Sequence, residues 1–124
     1  MENASLITSL NISLVQIRNY CELTLPLNSE GDSLSFGDKE DSYLRIQSCY
    51  SCYDEYDDDT LIKIKKEIEA PIFFIVETNQ FELLRKLILS FPPEMIFLVD
   101  NNFGKILSRA QLLEFTRLED FYKW

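Results

Sequence analysis

The sequence predicts a mixed α/β fold of the α+β kind. One domain spans residues 1–124, with a small sheet that contains a strand-helix-strand unit and is flanked by helices. Three observations carry that expectation. Pro71-Ile-Phe-Phe-Ile-Val76 is apolar on both faces, as a central strand covered on both sides would be. Leu83, Leu84, Leu87 and Ile88 then recur at helical spacing, and the pattern stops before Pro92-Pro93. Met95 to Val99 is a second apolar run; if the two strands are adjacent in one sheet, they are parallel and joined by a right-handed crossover.

Along the chain, Leu6, Leu10, Leu14, Ile17 and Cys21 fall at helical spacing, while Leu10, Ile12 and Leu14 also alternate as a strand would. The helical period predicts a helix over about Ala4 to Cys21. Pro26, "NSEGDS" and "FGDKEDS" read as loop. Tyr43 to Ser48 reads as a short strand with Leu44 and Ile46 on one face. Asp58 or Asp59 can cap a helix over Thr60 to Glu69, and acids at its start suit the helix dipole. Asn79-x-x-Glu82 is a variant capping box for the next helix. "DNNFG" at 100–104 is a turn from which Lys105 to Leu107 returns as a short antiparallel strand. Ser108-x-x-Gln111 opens a helix through Leu112, Leu113, Phe115 and Leu118. Phe121, Tyr122 and Trp124 are expected to dock the C-terminus on the core, with a frayed contact tail as the alternative.

A chain of 124 residues with 46% hydrophobic and 13% aromatic content has ample material for a core. The net charge of −9 argues against direct binding to nucleic acid or to an anionic membrane, since both require basic patches. The charge is also localised. Residues 30–59 hold ten acids against Lys39 and Arg45, a net −8 that leaves −1 for everything else. A field so concentrated accelerates encounter with a basic partner roughly ten- to a thousand-fold.

Histidine is absent, which removes Ser-His and Cys-His catalysis and His-ligated metal. Cys49-x-x-Cys52 with the distant Cys21 supplies at most three thiolate ligands, one short of a structural zinc site. Asp54, Glu55, Asp57, Asp58 and Asp59 crowd the pair and disfavour a reactive thiolate, so its cysteines read as small packing residues at a strand end. "DEYDDDTLIKIKKE" lacks the central glycine and ligand spacing of a calcium-binding EF-hand loop. An odd cysteine count suits reduced thiols in a cytoplasmic protein. Asn3 to Ile17 is uncharged, but Ser, Thr and Asn interrupt it, it lacks a basic start and it is too short for a bilayer. The expectation is a binding protein rather than an enzyme, with no cofactor, no metal and no membrane span.

Tyr50, Tyr53 and Tyr56 fall three apart among those acids. Tyrosine offers large, rigid contact area with a polar tip and is enriched at interface hot spots, whereas acids supply encounter speed. One or two of the rings are expected to bury inward. The candidate contact set is therefore Tyr50, Tyr53, Asp54, Glu55, Tyr56, Asp57, Asp58 and Asp59.

Residues 71–119, and "MIFLVDNNFGKILSRAQLLEF" above all, present a strand, an Asp-Asn turn, "GKILS" and a capped helix. This ending resembles that of several immunity proteins of bacterial toxin-immunity systems, including those paired with contact-dependent growth inhibition toxins. The resemblance implies a single immunity-protein-like domain that binds a cognate toxin domain, often a basic nuclease, and occludes its active site or substrate surface. Two other readings stay open. One is a nucleic-acid mimic that inhibits a DNA-binding protein; the other is a thiol-active regulator using Cys49 and Cys52.

Overall fold

A computed structural model describes residues 3–21, 27–37, 41–101 and 105–114. The chain forms strand β1 (Asn3–Ser9), helix α1 (Leu14–Tyr20), strands β2 (Leu27–Glu30), β3 (Ser33–Gly37) and β4 (Tyr43–Ser48), and a 3-10 turn (Cys52–Glu55). Helix α2 (Asp58–Glu67), β5 (Pro71–Thr78), α3 (Phe81–Ser90), β6 (Leu98–Asp100), β7 (Ile106–Leu107) and α4 (Arg109–Leu112) follow. The strands make one sheet in the order β2-β3-β4-β5-β1-β6-β7, with every neighbouring pair antiparallel. The mixed α+β class is the one the sequence predicts.

The strand-helix-strand unit is present as β5-α3-β6, but its strands are not neighbours. The first strand of the chain, β1, lies between them and is antiparallel to both, so β5 and β6 run parallel without touching. The expected helix over 4–21 is therefore corrected to a strand followed by a short helix. Ala4, Ser5, Leu6, Ile7 and Thr8 are all buried, because helices cover both faces of the sheet at its centre. A strand buried on both sides carries no alternation, and its leucines fall at helical spacing by coincidence. The missed boundary was marked by Ser13-x-x-Gln16, a capping box in which Gln16 N–H donates to Ser13 Oγ (3.3 Å) and Ser13 N–H donates to Gln16 Oε1 (2.8 Å).

The loop expected from Pro26 through "FGDKEDS" instead contains the β2-β3 hairpin, closed by Gly31 at φ +55°. That left-handed conformation favours glycine, which has no Cβ to clash. Asp57, not Asp58 or Asp59, caps α2. Asn79 does not cap α3: its Oδ1 accepts from Tyr43 N–H (3.0 Å) and its amide donates to the Asp41 carbonyl, which fixes the start of β4. The box at Ser108 and Gln111 forms as expected. The expectations for Phe115, Leu118, Phe121, Tyr122 and Trp124 lie outside the described residues.

The two sheet faces carry separate cores. One joins Leu6, Phe74, Val76 and Ile46 to Ile17 of α1 and to the Phe81, Leu84, Leu87 and Ile88 stripe of α3. The other joins Ile7 and Phe73 to Cys52, Ile64 and Ile68 beneath the 3-10 turn and α2. Between α3 and β6, the Arg109 guanidinium donates to the carbonyls of Phe91, Pro92 and Met95 and lies 5.0 Å from the Phe97 ring centroid. That single side chain satisfies three loop carbonyls, which closes the connection without regular structure.

Candidate functional site

The acidic, aromatic stretch from Cys49 to Asp59 leaves β4 and crosses the sheet face opposite α3. Its start is held by Cys49 N–H, which donates to the Phe73 carbonyl at 3.0 Å. Cys49 and Cys52 are then joined by a disulfide across Cα atoms 5.6 Å apart. This corrects the expectation of reduced thiols for this pair. The bend at Tyr50 and Ser51, just before the 3-10 turn, brings the two residues within bonding reach. Cys52 does pack inward, in contact with the smaller core, whereas Cys49 is half-buried.

The three tyrosines divide by role. Tyr53 meets Phe73 edge-on with centroids 6.1 Å apart, and Lys65 Nζ sits 5.1 Å from its centroid. Tyr56 stacks on the same Phe73 ring at 5.3 Å and an interplanar angle of 27°. Both rings are half-buried anchors against the second core. Tyr50 is 80% exposed and is the one tyrosine of the three presented whole to solvent.

The acids face outward. Asp54 and Glu55 are exposed on the 3-10 turn; Asp58 and Asp59 are exposed in the first turn of α2. Asp57 is exposed too, but its Oδ1 accepts from Thr60 N–H at 2.7 Å as the helix cap. Hydrogen bonds from Thr60 hold its carboxyl below the usual carboxylate range. Asp57, Asp58 and Asp59 therefore gather at the positive end of the α2 dipole, which offsets their mutual repulsion. Five carboxylates occupy a six-residue bend, Asp54 to Asp59.

Behind the bend lies a small cavity of about 340 Å³, lined by Ser5, Glu55, Tyr56, Thr60 and Asp100 among others. Tyr56 donates its hydroxyl hydrogen to Asp100 Oδ2 at 2.6 Å and is also hydrogen-bonded to Ser5. Burial, and then the bond to Asp100, raise the Tyr56 pKa well above that of a free phenol. A phenol held protonated in this way stays un-ionised at neutral pH and keeps its hydrogen for the bond to Asp100. The cluster acts as a tie between the bend and β6. Neither Ser5 nor Asp100 stands out in the sequence, where Asp100 reads as a turn residue and Ser5 as part of a helix.

A second concavity, of about 530 Å³, opens on the other side of Tyr53. Leu10, Ile12, Val15, Tyr50, Tyr53 and Ile72 supply much of its apolar wall. Leu10 read in the sequence as part of a buried helical stripe; with 4–9 in a strand, it falls in the turn before α1 and stays exposed. Among the described residues, no group of three or more Cys, Asp or Glu side chains is placed to hold a metal ion, and no helix is long and apolar enough to cross a membrane. The structure thus brings the eight expected contact residues onto one bend, with five acids and Tyr50 outward and Tyr53 and Tyr56 as its anchors. Comparison with protein-family models, with curated proteins and with solved structures finds no match to this chain.

Proposed function

We propose that this chain is an immunity protein that binds and neutralises a cognate toxin domain, a basic one such as a nuclease, by covering its active site or substrate surface. The observation that carries this reading is the fixed acidic bend. Asp54, Glu55, Asp57, Asp58 and Asp59 are exposed on backbone tied down by the packing of Tyr53 and Tyr56 on Phe73, the Asp57 cap and the Tyr56–Asp100 bond. A charged surface ordered before encounter loses less entropy on binding, so more of its interaction energy appears as affinity. Its field raises the association rate for a basic partner.

The same acids could mimic phosphates, but a nucleic-acid mimic calls for carboxylates spaced along a surface. Their crowding on one bend supports a compact basic site on a protein instead. The proposal places the chain in the cytoplasm, where the glutathione pool reduces ordinary disulfides. There the bend would rely on Phe73 stacking and the Tyr56–Asp100 bond.

The test is co-purification of the tagged chain with the basic toxin domain encoded beside it, followed by protection of cells that express that domain. Changing Asp54, Glu55, Asp58 and Asp59 to their amides together should slow association and raise toxicity, with Asp57 left in place to keep the helix cap. Unchanged protection and an unchanged salt dependence of binding would sink the proposal.

A further inference from the structure

We infer that the apolar groove beside the acidic bend receives the apolar side of a basic, amphipathic segment of a partner protein. The inference rests on the binding role proposed above and names the chemistry of the partner at that site. Three of the large hydrophobic side chains that this molecule exposes line the one groove: Leu10 at 68%, Val15 at 57% and Tyr50 at 80% exposure. Single exposed apolar residues need no explanation, but several lining one concavity mark an interaction site. The groove's volume of about 530 Å³ lies within the range of clefts that hold ligands.

Charge selects the occupant. Asp32, at the tip of the β2-β3 hairpin, is exposed and lines the groove, and among the described residues no lysine or arginine does. Asp54, exposed on the 3-10 turn, follows the lining residue Tyr53 directly in the chain, whereas Glu55 lines the other cavity. Lys65 reaches Tyr53 from α2 and does not line the groove. An apolar floor with an acidic rim fits a segment with apolar residues on one side and Lys or Arg on the other, the helix-in-groove mode of recognition. A second copy of this chain brings its own net charge of −9 to the contact, and an anionic membrane repels the same rim.

The probe is a synthetic amphipathic helix of leucine and lysine, with a leucine-glutamate peptide of the same pattern as control, titrated into the isotopically labelled full chain by NMR. The lysine peptide should shift the amides of Leu10, Val15 and Tyr50 as well as those of the bend, and the glutamate peptide should not. The triple variant Leu10→Ser, Val15→Ser, Tyr50→Ser should weaken binding at least tenfold at an unchanged far-UV circular dichroism spectrum. Should the triple variant unfold, Tyr50→Ser alone should weaken binding several-fold. Shifts confined to residues 54–59, equal binding of both peptides, stronger binding to neutral phosphatidylcholine vesicles, or a dimer in sedimentation that the triple variant dissolves would each overturn the inference. A toxin complex that survives the triple variant but not amidation of the acids also overturns it and leaves the proposed function standing. Peptide capture in the groove without a toxin partner supports the inference and counts against that function.

Discussion

Tyr56 and Asp100, forty-four residues apart in the chain, meet through a hydrogen bond of 2.6 Å from the phenol to Oδ2. The bond joins the acidic bend to β6, and burial makes it matter. Tyr56→Phe leaves the buried Asp100 short of a donor and should cost about 1–3 kcal/mol in urea denaturation. Because the Tyr56 pKa is raised on folding, its contribution is full below about pH 10 and fades as pH rises through the folded value. The stability gap between wild type and Tyr56→Phe should therefore narrow above pH 10; a gap independent of pH would show that the phenol ionises freely.

Asp57 makes the opposite prediction at the acid end. Its pKa is lowered on folding by the bonds from Thr60, so its stabilisation is present above the ordinary carboxyl value near 4 and is lost as pH falls through the folded value. Asp57→Ala should lower Tm by roughly 2–5 °C at pH 7, with the difference shrinking below about pH 4. Asp57→Asn, which keeps the acceptor, should lie near wild type at neutral pH. Hydrogen exchange at Thr60 would show directly whether the cap is lost.

The Cys49–Cys52 disulfide closes a loop of four residues, for which chain entropy predicts about 2 kcal/mol of stabilisation. Denaturation with and without a dithiol reductant measures it. Coincident urea curves would mean that the packing of Cys52, rather than the bond, holds the turn.

Phe73 carries both anchoring tyrosines, so Phe73→Ala should cost about 3–5 kcal/mol, and the near-UV dichroism of the tyrosines should collapse with it. Phe73→Leu should keep much of the stability and lose the ring signal.

Amidation of Asp54, Glu55, Asp58 and Asp59 together should reduce the association rate with a basic partner roughly tenfold or more at low salt and flatten its ionic-strength dependence. Stopped-flow mixing across a salt series reads both. A rate that falls equally at all salt concentrations would point to a packing defect instead.

Several elements were legible in the chain because their signals are local. The β5 run, the α3 stripe, the Ser108 capping box and the short return of β7 each depend on residues within a few positions of one another. Likewise the acids of 54–59 face solvent because six consecutive residues with five charges have no other place to go. The position of β1 was not legible. A strand buried on both faces shows no period, and its place between β5 and β6 depends on partners some seventy and ninety residues away.

The sequence by itself determined the fold class, the acidic bend and the absence of imidazole chemistry, since composition and short-range pattern suffice for each. Only the tertiary structure decided which tyrosine faces outward, that Cys49 and Cys52 are bonded, that Tyr56 finds Asp100, and that Leu10 and Val15 share a groove with Tyr50. Those facts arise from how distant strands stack their side chains on the two faces of one sheet, and no local period encodes that arrangement.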